Sequence, residues 1–120
     1  MYRDLKNKNI ILTGGSGFLG KQIANAFKLI GSNVIILDIK KPLKQNDTEF
    51  YRCDITNESE IKKIANKIIK KNKTIDVLIN NAASDHVPKK KNNLNLEKFK
   101  LSMWKKDLEV GLSGSFLCTK

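Results

Sequence analysis

At 120 residues the chain has single-domain length, with room for one hydrophobic core and not two. Its 40% apolar content places it among globular proteins, and no apolar run approaches the ~18–20 residues of a membrane span. The net charge of +11 invites a nucleic-acid reading. However, 21 of the 23 basic residues are lysines scattered along the chain beside 13 Asn and 14 Ile, as whole-chain compositional drift would give, so neither nucleic acid nor membrane is expected as a partner.

The opening stretch MYRDLKNKNI lacks the apolar core of a secretion signal, and a cytoplasmic protein is expected. Cys53 and Cys118 stand far apart with no Cys or His cluster around them, so they read as inert core thiols and no metal site is expected.

In chain order, the apolar run from Asn9 to Thr13 suits a strand buried on both faces. Leu19, Ile23, Phe27 and Ile30 then recur at helical spacing through residues 17–30, and Gly31 stands where a left-handed cap would end that helix. Residues 34–38, VIILD, form a second buried strand closing on an acid. After a polar loop over 40–48, a short third strand is expected over 49–53. Thr56 or Asn57 can cap a helix running to about Lys71, with Glu58 and Glu60 in its first turn and Lys70 and Lys71 in its last, matching the helix dipole. Ile61, Ile64, Ala65, Ile68 and Ile69 make its inward face. IDVLIN, residues 75–80, is the fourth strand, and a lysine-rich loop over 84–95 leads to a final helix from about Leu96 or Ser102.

Strands alternating with helices predict an α/β fold, a Rossmann-type doubly wound parallel sheet in three α/β/α layers with spatial order 3-2-1-4. Such sheets bind ligands where strand carboxyl ends meet helix amino ends. TGGSGFLG, residues 13–20, lies at such a point with four glycines in eight positions. Gly14 permits the turn, Gly17 lets backbone amides approach a pyrophosphate, and Gly20 lets the helix pack tightly on the strand. Asp38 closes the next strand, 24 residues after Gly14, where it can accept from a ribose diol and would repel a 2′-phosphate. NAD is therefore the expected cofactor, ahead of NADP, although Lys40 and Lys41 follow closely enough to offset part of that repulsion.

Taken together, these residues resemble the short-chain dehydrogenase/reductase family over essentially all 120 residues. Thr13-Gly14-x-x-Gly17-x-x-Gly20 is similar to its cofactor loop, in the glycine spacing of the family's extended branch, and Asp38 to its ribose acid. Cys53-Asp54-Ile55-Thr56 resembles the segment that contacts adenine, and Asn80-Asn81-Ala82-Ala83 resembles the Asn-Asn-Ala-Gly run that steadies the sheet and touches the ribose, with Ala83 in place of Gly. The resemblance implies cofactor binding by Gly14, Ser16, Gly17, Phe18, Leu19 and Gly20 at the pyrophosphate. It implies Asp38 and Ile39 at the ribose side, Asp54 and Ile55 at the adenine, and Asn81, Ala82 and Ala83 at the cofactor edge.

Trp104 to Lys120 is similar to the family helix around an active-site Asn, but Gly111 stands in that position. Gly111 and Gly114 each cost a helix interior about 1 kcal/mol, which argues for a kink or a close packing contact. The VGL sequence with TGGSGFLGKQIA and NNAA is also similar to a bacterial subgroup linked to flagellin and surface-sugar modification.

The family's catalytic Ser and Tyr-x-x-x-Lys would lie beyond Lys120, while Tyr2 and Tyr51 precede the motifs they would have to follow. No catalytic residue is therefore named, and residues 1–120 are expected to be one incomplete NAD-binding domain, inactive alone. The resemblance implies, for the full-length protein, hydride transfer to or from an alcohol or ketone carbon of a small molecule, with a sugar derivative as one candidate, and a homo-oligomer. The alternative is a noncatalytic dinucleotide-binding or scaffold protein. His86, the Lys89-Lys90-Lys91 run, Asp107 and Glu109 read as solvated surface, and Trp104 as a packing anchor. IDVLIN should be an unpaired sheet edge, and Trp104, Leu108, Leu112 and Phe116 should be partly exposed.

Overall fold

A computed structural model describes residues 3–42, 48–84 and 96–120. His86, the Lys89-Lys90-Lys91 run, Tyr2 and most of the 84–95 loop lie outside the described residues. In chain order the elements are β1 (Asn9–Thr13), α1 (Phe18–Leu29), β2 (Asn33–Asp38), β3 (Glu49–Arg52), α2 (Glu58–Asn72), β4 (Val77–Ile79), α3 (Leu101–Leu108), a π-helical segment (Glu109–Gly114) and α4 (Ser115–Thr119). All three strand pairings are parallel, in the order β3-β2-β1-β4. This is the expected spatial order, with β4 at an edge.

β1 is buried along its whole length because both of its faces are covered. On one face Ile11, Ile35 and Leu37 pack with Ile64 and Ile68 of α2, and Val110 and Cys118 close over the same cluster. On the other, Leu12, Val34 and Ile36 meet Ala24, Ile23 and Phe27 of α1. The three-layer arrangement follows, with each fully buried Ile or Leu contributing about 1.5–3 kcal/mol.

Two apolar positions expected inside are exposed. Leu19 is 61% exposed, because the inward stripe of α1 runs through Gly20, Ile23, Ala24 and Phe27, one residue round the helix from it. Ile69, 47% exposed, falls at the margin of the stripe formed by Ile61, Ile64 and Ile68.

Asn57, not Thr56, caps α2, its Oδ1 accepting from the Ser59 amide at 3.1 Å and the Glu60 amide at 3.2 Å. Gly31 ends α1 with φ 84°, as the left-handed cap requires. The third strand stops at Arg52 and the fourth spans only Val77–Ile79, shorter than the sequence suggests. Beyond Ile79 the amides of Asn81 and Ala82 turn to the Thr13 hydroxyl instead of continuing the ladder.

The last helix begins at Leu101, within one residue of the later of the two expected starts, about Ser102, and not at Leu96. A single 3₁₀ turn (Leu96–Lys98) precedes α3, which starts at Leu101 and runs through the π segment into α4. Trp104, Leu108, Leu112 and Phe116 are exposed along it, as expected.

Cys53 is buried, and burial first, with the neighbouring Cys118 second, pushes its thiol up to about 12. It stays protonated at neutral pH and behaves as the inert core thiol the sequence suggests. Among the described residues no group of His, Cys, Asp or Glu could hold a metal ion, and no helix is long and apolar enough to cross a membrane.

Candidate functional site

The carboxyl ends of β1, β2 and β4 converge on the glycine turn. Gly14 has φ 66°, a left-handed conformation that a side chain resists, and a Cβ there would lie 2.7 Å from Ala82 Cα. The Gly14 amide donates to the Leu37 carbonyl at 2.8 Å, so the turn is bolted to β2 as well. Gly20 is buried under the turn: a Cβ on it would stand 2.2 Å from the Gly14 carbonyl oxygen. Its role is therefore to let α1 approach the strand.

Not every residue assigned to the pyrophosphate presents a free donor. Ser16 turns both of its donors away: its amide goes to Asp38 Oδ2 at 2.9 Å and its hydroxyl to the Lys40 carbonyl at 2.7 Å. The Gly17 amide is taken by the Gly14 carbonyl at 3.2 Å. What remains is the start of α1. Gly17 occupies the cap position without a side-chain cap, so the first amides of the helix, Phe18 and Leu19, have no partner among the described residues. Their side chains are exposed, and their amides together with the helix dipole offer the kind of environment that favours an anion.

Asp38 serves the turn as well as any ligand. Its Oδ2 accepts from Ser16 and its Oδ1 from the Lys40 amide at 2.9 Å. Each carboxylate oxygen keeps a second lone pair that a ribose hydroxyl can use.

Asn81 and Ala82 are structural straps. The Thr13 hydroxyl, fully buried, accepts from both of their amides at 3.0 Å, and Asn81 Nδ2 donates to the carbonyls of Thr13 and Gly14 at 3.1 Å each. Ala83 is exposed beside them. Thr13, absent from the residues assigned to the site, is thus the latch joining β1 to β4. A threonine closing an otherwise apolar buried strand was the signal for it.

Beyond Asp38, Ile39 and Asp54 border a groove of about 460 Å³ at the edge of β3 and α2. Asp54 Oδ1 accepts from the Thr56 hydroxyl at 2.7 Å and amide at 2.9 Å, bonds that hold its carboxyl below the usual range. Ile55, by contrast, is buried beneath Gly114 and lies off the groove. A second cavity, about 80 Å³ between Ile11, Ile68 and Cys118, is an apolar packing void too small for a nucleotide.

The parallel order β3-β2-β1-β4, the glycine turn opening α1 and an acid ending β2 together define a Rossmann-type α/β domain. The profile of the short chain dehydrogenase family matches residues 8–120, and the chain belongs to that family. It is 31% identical over 137 aligned positions to short-chain dehydrogenase reductase 3a of Arabidopsis thaliana, covering 96% of this chain and 53% of that protein. Ligand-free aldohexose dehydrogenase of Thermoplasma acidophilum superposes with a TM-score of 0.84 at 31% identity, covering 98% of this chain and 43% of that one. A short chain dehydrogenase from Leptospira borgpetersenii with bound NAD+ gives 0.83 at 29%, covering 99% and 46%. The chain spans about half the length of the proteins it matches.

Proposed function

We propose that this chain is the nicotinamide-dinucleotide-binding part of a short-chain oxidoreductase that uses NAD in preference to NADP. One observation carries the reading. The uncapped amides of Phe18 and Leu19 open α1 beside a turn that Gly14 and Gly20 hold tightly against β1, β2 and β4. That geometry suits a pyrophosphate, and Asp38 stands one strand away to accept from the adenosine ribose. The nicotinamide supplies hydride chemistry when bound; this chain's residues seat the adenosine and pyrophosphate and orient them along the carboxyl edge of the sheet.

The structural likeness to an aldohexose dehydrogenase and the VGL and NNAA segments support a sugar hydroxyl or carbonyl as the substrate of the whole protein, and we assign it to the cytoplasm as a homo-oligomer. Titrating the chain with NAD and NADP tests the cofactor reading. NAD should bind more tightly, Asp38→Ala should weaken NAD and narrow the gap, and tighter NADP binding to the unaltered chain would overturn the preference.

A further inference from the structure

The groove past Ile39 contains more than a nucleotide edge needs. Three cations line it: Arg52 from the end of β3, and Lys63 and Lys67, one turn apart on the same side of α2. Among the described residues none of the three is in an ion pair.

Two acids also line the groove, Asp54 and Glu60, each with one carboxylate oxygen occupied by a neighbour. Asp54 Oδ1 is held by Thr56, and Glu60 Oε2 accepts from the Asp54 amide at 2.9 Å. Lys106 of α3 also stands close enough to Asp54 to favour its ionised form. The three cations of the lining outnumber its two carboxylates by one charge, around an apolar floor that includes Ile39 and Ile64. A guanidinium and two ammonium-bearing side chains lining one groove suit a dianion with several acceptor oxygens, since Arg presents a planar fork of donors and Lys a mobile point charge.

We propose that this groove is a phosphate-dianion site, formed by Arg52, Lys63 and Lys67, adjoining the adenosine end of the cofactor seat and separate from the pyrophosphate seat at Phe18 and Leu19. The inference rests on the cofactor reading only for what its neighbour is; the anion site itself needs no dinucleotide. The phosphoryl group can arrive free or on another small molecule beside NAD, or as the 2′-phosphate of NADP.

The test titrates the 120-residue chain with inorganic phosphate, with NAD in the presence and absence of phosphate, and with NADP. Each titration is repeated for Arg52→Gln/Lys63→Gln/Lys67→Gln and for a control of equal charge change, Lys70→Gln/Lys98→Gln/Lys105→Gln. Saturable phosphate binding that falls roughly tenfold or more in the groove variant and is kept in the control supports a free-anion site. An affinity for NADP that falls in the groove variant while that for NAD does not supports the site with the phosphate carried by the cofactor. Equal losses in both variants, or no loss in either, overturn it. Failure of the cofactor reading shows separately, as no NAD binding by the unaltered chain, and the phosphate titration still decides the groove.

Discussion

At Gly20 an added methyl group would stand 2.2 Å from the Gly14 carbonyl oxygen, whereas at Gly111 it would meet nothing within 4 Å. Both glycines lie in helices, where glycine is locally unfavourable, yet only one is forced by its surroundings. In the turn after β1, strand, helix and the Asn81-Ala82 strap close on one another from three sides, and the backbone itself is the neighbour. In the last helix the nearest neighbour of Gly114 is the Ile55 side chain, at 2.6 Å from an added Cβ. A side chain can rotate away; a carbonyl held by its own turn cannot. The glycine turn is therefore held by backbone at Gly14 and Gly20, whereas the last helix can adjust through a side chain.

That contrast can be broken by substitution, beginning where the effect is largest. Gly20→Ala should destabilise by more than about 3 kcal/mol, because only separation of α1 from β1 relieves the clash, and a small change in thermal midpoint would refute the close approach. Thr13→Val keeps the shape of the latch but leaves two amides, of Asn81 and Ala82, without their acceptor, and should cost about 2 kcal/mol in urea unfolding. Gly114→Ala should cost about 1–2 kcal/mol as Ile55 shifts, with the loss recovered in part by a second change, Ile55→Val. Gly111→Ala should instead stabilise by up to about 1 kcal/mol, since it adds helix propensity in open space.

The smallest effect concerns Glu49 on the edge strand. Burial raises its pKa, but hydrogen bonds from Tyr51, Lys71 and Asn72 outweigh that and hold it below its ordinary value of 4.5. A lowered folded-state pKa means the stabilisation is complete above about pH 4.5 and is lost as pH falls through the folded value. The thermal midpoint of the unaltered chain should therefore exceed that of Glu49→Gln by the equivalent of less than about 1 kcal/mol at neutral pH. The gap should close in acid; a gap that widens there would reverse the assignment.

The strand order was legible because apolar runs over 9–13 and 34–38 leave no face for solvent, and two-sided burial requires a parallel sheet covered on both sides. The caps of α1 and α2 were legible because their chemistry is local. The hydrogen bonds that occupy Ser16 were not legible because its partners, Asp38 and Lys40, are 22 and 24 residues away and meet it only once the sheet forms. The exposure of Leu19 was hidden for a related reason: helical spacing gives a stripe, but its exact centre depends on where Gly20 seats the helix. The groove cations were invisible to spacing, since Arg52 joins Lys63 and Lys67 only through the packing of α2 beside β3.

The two amides that open α1 are the centre of the proposed dinucleotide seat. A titration of the nitrogen-15-labelled chain with NAD, followed amide by amide, tests them most directly. The largest shifts should fall on Phe18 and Leu19, with smaller ones at Asp38 and Ile39 and none at the opposite end of the sheet near Asn9 and Asn33. Saturable shifts centred elsewhere, or no saturable shift at Phe18 and Leu19, would contradict a dinucleotide seat at the glycine turn.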